Sequence, residues 1–308
     1  MSSLPSPRDP TAQYVSLLMS GTPPPPAFVR LDLSTPETNR DGRHPGARAT
    51  RMSWSFFSRI ASEIEQASPD ELVLANLRDA GQCTWIGEAV RFAKDCCAFP
   101  HVVLQTDVLS TSPAQVGTAI AAGLDCLVLS FNVACRSWRE RTAARLADDP
   151  DCLRRPLEQA LLAREAQRRA GGRRCLVYVS QLGARRRPGD VIDRAIAELA
   201  QLADHDYVEW LPEAQDLVGV PWEEPAGAMA ARRCHCWTPF TEAHVTADGF
   251  LSACRHDYFG SAHVANLHTT TFWEAWHSPC FQATRIGLIN GELEGTLCGS
   301  CPIRGSYA

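Results

Sequence analysis

The chain has 308 residues, 45% of them hydrophobic, enough for one large α/β domain or two domains to build a core without covalent staples. A formal net charge of -5 argues against broad electrostatic capture of nucleic acid or of an anionic membrane, and the near absence of lysine, with Lys94 the only one, carries no functional weight. The N-terminus lacks a basic start followed by an apolar stretch, and no segment approaches the roughly 18 apolar residues of a membrane span, so the expected location is cytoplasmic.

Residues 1–27 are rich in Ser and Pro and close on the run Pro23 to Pro26, the composition of a flexible arm. From Phe28 onward, short β-branched and leucine-rich runs alternate with longer stretches of helical period. Strands are predicted at 28–33, 71–74, 101–105, 126–130, 175–179 and 207–210, and helices at 53–66, 85–96, 113–122, 153–170 and 188–203. The first helix puts Phe56, Phe57, Ile60 and Ile64 on one face, and the second does the same with Trp85, Ala89, Phe92 and Cys96. Apolar strands alternating with helices predict a parallel sheet covered by helices, as an open sheet or a partial barrel. Residues 28–211 form this unit, 212–233 read as a linker broken by Pro212, Pro221 and Pro225, and 234–308 form a separate cysteine-rich domain.

Thirteen cysteines in a reducing compartment are better explained as small buried hydrophobes plus metal ligands than as disulfides. The informative stretch begins with Cys236-Trp237-Thr238-Pro239-Phe240, continues from Val245 to Cys254, and ends with Cys298-Gly299-Ser300-Cys301. Thiolates are soft ligands that suit iron–sulfur clusters or zinc, and Cys236, Cys254, Cys298 and Cys301 supply four. The Ala247-Asp248-Gly249 turn between two β-like runs predicts a hairpin carrying the first two ligands. A zinc ribbon uses the same residue types, although ribbons usually contribute two close pairs and Cys254 has no near cysteine. Four unrelated core cysteines are the plainest alternative. His235, His244, His256 and His263 read as surface or hydrogen-bonded histidines, not ligands.

These seventy or so residues resemble the SPASM/twitch domain found at the C-terminus of radical-SAM enzymes. The likeness rests on the first Cys with its Pro-aromatic, the "DG" hairpin and the second Cys, followed by a strand at 260–267, the helix Phe272-Trp273-Glu274-Ala275-Trp276 and the closing C-x-x-C. The resemblance implies an auxiliary [4Fe–4S] cluster on Cys236, Cys254, Cys298 and Cys301, with Cys280 surplus and Cys234 a competitor for the first position. It also implies that the βα region is a radical-SAM-type partial (β/α)6 barrel. Members of that family carry C-x-x-x-C-x-x-C after the first strand, to seat the cluster that binds S-adenosylmethionine. Here Asn39 and His44 keep their places in that pattern, while Thr38, Gly42 and Pro45 stand where thiolates belong. The family's "G-E-P" and "T-N-G" segments correspond to Arg78-Asp79-Ala80 and Thr106-Asp107-Val108. Three cofactor-facing sites thus depart together, so conventional cleavage of S-adenosylmethionine is not expected.

Among the remaining features, Cys83 is placed near the barrel mouth and Cys96-Cys97 near the opposite rim, as incidental thiols. The arginine-rich stretches 164–174 and 185–187 read as solvated faces. Ser130, Asn132, Glu209 and Trp210 end strands where barrel residues approach a ligand, and are weak pocket candidates. No G-x-S-x-G, Walker loop, dinucleotide fingerprint or H-E-x-x-H occurs, and no residue is assigned a catalytic role. The expectation is an iron–sulfur protein acting as an atypical or accessory member in peptide or small-metabolite modification, partnered by an intact radical-SAM homologue or a precursor peptide. The alternatives are an enzyme using the barrel pocket for a non-radical reaction and a zinc-binding substrate-recruitment module.

Overall fold

The computed structural model describes residues 23–34, 50–76, 83–109, 111–131, 136–183, 190–210, 236–255, 257 and 260–299. Its strands are β1 (Phe28–Asp32), β2 (Glu71–Asn76), β3 (His101–Asp107), β4 (Cys126–Phe131), β5 (Leu176–Gly183), β6 (His205–Trp210), β7 (Glu242–Val245), β8 (Phe250–Ser252) and β9 (His263–Asn266). Between them run α1 (Trp54–Glu65), α2 (Ile86–Arg91), α3 (Pro113–Ala121), α4 (Arg136–Asp148), α5 (Arg154–Arg169) and α6 (Val191–Ala200), then α7 (Thr238–Thr241), α8 (Phe272–Trp276) and α9 (Pro279–Asn290). All six predicted strands and all five predicted helices of the βα unit are present, and α4 is an addition within it. The second predicted helix is α-helical only to Arg91. It continues to Cys96 as a wider turn closed by Cys97 N–H donating to the Phe92 carbonyl at 3.1 Å.

One nine-stranded sheet runs in the order β6-β5-β4-β3-β2-β1-β7-β8-β9. Strands β1 to β6 are parallel and strictly sequential, so every crossover steps the same way and the sheet has no topological switch point. That ordering curls a sheet toward a barrel, and here the barrel is partial. Its β1 edge is occupied by β7, parallel to β1, from which the antiparallel meander β7-β8-β9 extends. The cysteine-rich segment therefore continues the sheet of the βα unit.

Burial follows from this double coverage. Outward-facing Val29, Leu31, Leu72, Leu74, Val102, Leu104, Leu127, Leu129, Val177 and Val179 pack under the helices, with Phe57, Ile60, Val90, Ile120, Leu157 and Ile196 facing them. Inward-facing Val103, Cys126 and Val128, with Val73, Leu176 and Tyr178, make a smaller apolar plug inside the curl. Local chemistry agrees with the helix starts. Ser53 caps α1 by accepting from Phe56 N–H at 3.2 Å, and Ser112 with Gln115 forms a capping box on α3. The end of the Pro-rich segment is docked, with Pro23 and Pro26 buried and the Pro24 carbonyl accepting from Trp276 Nε1 at 2.9 Å.

Candidate iron–sulfur site and barrel mouth

The cysteine ribbon is built by three turns. In the hairpin, Gly249 takes φ +87 and donates to the Thr246 carbonyl at 2.9 Å, while Thr246 Oγ1 donates to Asp248 at 2.5 Å and accepts from Phe250 N–H. The predicted turn is thus the observed one. After β8, the Cys254 carbonyl accepts from Asp257 N–H (3.1 Å), Ser252 Oγ (3.2 Å) and His244 Nδ1 (3.2 Å). Asp257, itself buried, braces this loop by accepting from the N–H groups of Ser261 and Ala262 at 2.9 and 2.7 Å.

The third turn is the knuckle at Cys298. Thr296 N–H and Oγ1 donate to the Leu293 carbonyl at 3.1 and 2.7 Å, and Gly299 N–H donates to the Thr296 carbonyl at 3.0 Å. The chain doubles back so tightly that a Cβ on Gly299 would lie 2.3 Å from the Leu293 carbonyl oxygen. Only glycine fits there.

Of the four expected ligands, Cys236 and Cys298 come together, packed against the same small apolar cluster of Phe240, Leu288 and Leu293. Cys254 lies two residues past the end of β8 and is not among the described residues packed on that cluster. Cys301 and Cys234 lie outside the described residues, and Cys280 is exposed near the start of α9. Among the described residues no three His, Cys, Asp or Glu side chains make a metal-holding group, and the ten described cysteines form no disulfide. The donor set and its setting nevertheless fit a thiolate-ligated centre. Two half-buried thiols share one apolar seat, and a backbone turn that admits no side chain leads from Cys298 toward the fourth cysteine.

A second polar assembly sits in the curl of the barrel. Arg30 on β1 donates to Gln105 Oε1 at 2.7 Å and pairs with Asp32 at 3.3 Å, and Gln105 Nε2 donates to Ser130 Oγ at 3.2 Å. His244 on β7 meets Asp32 Oδ2 through Nε2 at 2.8 Å. Its Nδ1 faces the Cys254 carbonyl at 3.2 Å. Ser130 is the pocket candidate that the structure places in this network, while Arg30, Asp32, Gln105 and His244 were not anticipated. His244 is hydrogen-bonded, as its sequence reading allowed, and only 4% exposed. Glu209 and Trp210 close β6 opposite Leu182 and Gly183, and Asn132 lies outside the described residues.

Asp107, the central residue of the segment that corresponds to "T-N-G", is committed to the fold. Its carboxylate accepts from Leu109 N–H at 2.8 Å and from the buried Trp138 indole N–H at 2.9 Å. The loop positions Thr38, Asn39, Gly42, His44 and Pro45, and the segment 78–80, lie outside the described residues. Cys83 is a core residue, 3% exposed, whose thiol burial pushes up to about 11.

Residues 234–302 match the family model of the SPASM iron-sulfur cluster-binding domain. The chain carries a SPASM domain on a radical-SAM-type fold. The fold is similar to that of Streptococcus suis SuiB bound to its precursor peptide SuiA, with a TM-score of 0.55 at 11% identity over 92% of this chain and 74% of that one. It is also similar to BtrN in complex with AdoMet and 2-DOIA, with a TM-score of 0.51 at 10% identity over 87% and 88% of the two chains. Comparison with curated proteins gave no match. The SPASM domain spans α7, the β7-β8-β9 meander, α8, α9 and the Cys298 knuckle, so the ribbon built above is the family's unit. Among the described residues no helix is long and apolar enough to cross a membrane.

Proposed function

We propose that this protein is a SPASM iron–sulfur protein without a cluster for S-adenosylmethionine, acting as an accessory or atypical partner in peptide or small-metabolite modification. One observation carries the reading: the first cysteine of the chain is Cys83, so the loop after β1 contains no thiolate, whereas the SPASM domain keeps Cys236, Cys254, Cys298 and Cys301. Those four would hold one [4Fe–4S] cluster, which supplies one-electron redox chemistry when bound. The residues of the chain do the rest. Phe240, Leu288 and Leu293 shelter Cys236 and Cys298 from water, and His244, Ser252 and Asp257 fix the backbone at Cys254.

The engagement of Asp107 with Trp138 and Leu109 supports the loss of cofactor binding at the barrel mouth, since its carboxylate already serves two buried donors. SuiB was solved with a precursor peptide, which makes a peptide the favoured substrate or partner here, alongside an intact radical-SAM homologue. The location expected for such a cluster protein is the cytoplasm.

Anaerobic reconstitution tests the reading. The protein should bind about four iron and four sulfide and give an electron paramagnetic resonance signal on reduction with dithionite. Zinc in place of iron would transfer the site to the zinc-recruitment alternative. Incubation with dithionite and S-adenosylmethionine should yield no 5′-deoxyadenosine, and stoichiometric release would overturn the degenerate-site claim. A second reading, a non-radical enzyme, is favoured by the hydrogen-bonded Asp32–His244 pair inside the barrel. Turnover of a metabolite by the metal-free protein, abolished by His244→Ala, would establish it.

A further inference from the structure

Arg285 lies in the middle of α9 and is fully buried. Its guanidinium is packed by the rings of Trp276 and Phe281, at 4.2 and 3.7 Å from their centroids. Nε donates to the Pro239 carbonyl at 2.7 Å and Nη1 to the Trp276 carbonyl at 2.8 Å, while Nη2 has no partner among the described residues. No carboxylate pairs with it among the described residues. Burial alone pulls its pKa down to about 9, which still leaves it charged at neutral pH. His277, whose buried Nδ1 also has no partner among the described residues, is held toward its neutral form by burial and by Arg285, so it adds no charge of its own.

An isolated cation in an apolar interior is strongly disfavoured unless an opposite charge lies near, and an orphaned N–H adds to the cost. The position of Arg285 says where that charge belongs. Pro239 lies three residues beyond Cys236, on the one-turn helix α7. Leu288 and Ile289, one helical turn along α9 from Arg285, belong to the cluster against which Cys236 and Cys298 pack. Trp276 and Phe281 belong to the main core, so the guanidinium reaches the thiol-bearing region through the Pro239 carbonyl, three residues past Cys236, and stands on the helix whose next turn carries Leu288 and Ile289 under both thiols. A centre ligated by four thiolates is a buried anion, and it becomes more negative on reduction.

We propose that Arg285 is the built-in countercharge of the iron–sulfur centre, favouring its reduced form and so setting its potential. This rests on the cluster assignment made above. The step is a one-electron reduction, with dithionite as donor. The electron enters the cluster and Arg285 keeps its proton throughout.

The test uses the full chain, reconstituted anaerobically and titrated with dithionite under electron paramagnetic resonance detection. Arg285→Met should keep iron and sulfide content while its reduction equilibrium falls about tenfold, roughly 59 mV for one electron. Coulomb's law gives this order for unit charges roughly 10 Å apart at an effective dielectric of about 20. Arg285→Lys, which keeps the charge, should recover most of that shift. A Met variant with full iron and an unmoved potential overturns the proposal. Should the Met variant fail to fold, Arg285→Gln replaces it, and equal potentials for the Gln and Lys variants overturn the proposal in the same way. Wild-type protein that binds no iron would instead fail the cluster assignment, a result read before any variant is made.

Discussion

The tightest geometric demand in the SPASM domain is at Gly299, and it gives a sharp test of the ligand set. An alanine Cβ would stand 2.3 Å from the Leu293 carbonyl oxygen, whereas carbon–oxygen contacts in proteins settle at about 3.3 Å or more, so something must move by roughly 1 Å. The carbonyl cannot yield freely, because Thr296 holds it through both N–H and Oγ1. Overpacking of this kind costs about 1–3 kcal/mol. The two Thr296 bonds together are worth about as much, so the chain relieves the clash by opening the knuckle while the barrel stays folded. Gly299→Ala should therefore leave the denaturation profile of the metal-free protein close to wild type and weaken cluster retention by about 2 kcal/mol, near thirty-fold. Iron and sulfide analysis after chelator challenge reads this directly. Undiminished retention would show that Cys298 and Cys301 do not ligate through this turn.

Three further outcomes follow from packing and charge. Burial pushes the thiols of Cys126 and Cys175 up to about 12 and those of Cys83 and Cys97 up to about 11. At about pH 8, alkylation followed by mass spectrometry should mark the exposed Cys96 and Cys280 first and reach those four only in denaturant, and rapid native labelling of any of them would contradict the fold. Burial raises the Asp204 carboxyl, but Val177 N–H at 2.8 Å, Arg164 at 2.6 Å and Arg174 outweigh it and hold the group below its ordinary value. A depressed folded value contributes stability above about pH 4 that drains away as pH falls through it. Asp204→Asn should cost about 2 kcal/mol at neutral pH and flatten the acid limb of the stability curve, and an unchanged limb would refute the assignment. Asp107→Ala, which strips the acceptor from Trp138 Nε1 and Leu109 N–H, should cost about 2–4 kcal/mol in denaturant titrations. A loss under 1 kcal/mol, well below that range, would mean that Asp107 is dispensable to the fold.

The fold was legible because its elements obey their periods. Phe56, Phe57, Ile60 and Ile64 mark one face of α1, and the central strands are apolar on both sides. Helix α4 escaped because its sequence, Arg-Ser-Trp-Arg-Glu-Arg-Thr-Ala-Ala-Arg-Leu-Ala-Asp, shows no apolar stripe; it is anchored by the Trp138 indole and the buried Thr142. Strands β2 and β3 run on to Asn76 and Asp107, past the predicted ends, into polar residues that read as loop. The mouth network was hidden for a related reason. In Phe28-Val29-Arg30-Leu31-Asp32 the alternation looks like a strand with one wet face, and only the curl of the sheet turns that face inward. The usable signal was that parallel sheets bury both faces, so Arg30, Asp32, Gln105 and His244 were anomalies needing partners. The arginine-rich stretch from Arg168 to Arg174 is exposed, as a solvated face should be, with Arg168 and Arg169 sharing Glu165 at the surface, and only Arg164, which joins Arg174 in clamping Asp204, is partly sheltered. Three of the four proposed ligand cysteines lie among the described residues, and which of them share a packing cluster could not be read from spacing, because it depends on how α7 and α9 close over Phe240.

The joining of β7 to β1 gives the Asp32–His244 contact a wider consequence. Through His244, the end of the first barrel strand is tied to the carbonyl of Cys254, so the barrel mouth and the SPASM domain share one chain of hydrogen bonds. With His244 at 5% side-chain exposure and Asp32 at 25%, the contact is sheltered enough to be worth about 1–2 kcal/mol. A double-mutant cycle on Asp32→Asn and His244→Gln, followed in denaturant, should return a coupling energy of that size. Cluster retention should weaken in His244→Gln more than in Asp32→Asn, because only the former releases the Cys254 carbonyl. Strict additivity of the two substitutions would mean that the barrel and the SPASM domain are held by the β1–β7 ladder alone, and that a ligand in the mouth has no path through these side chains to the cluster.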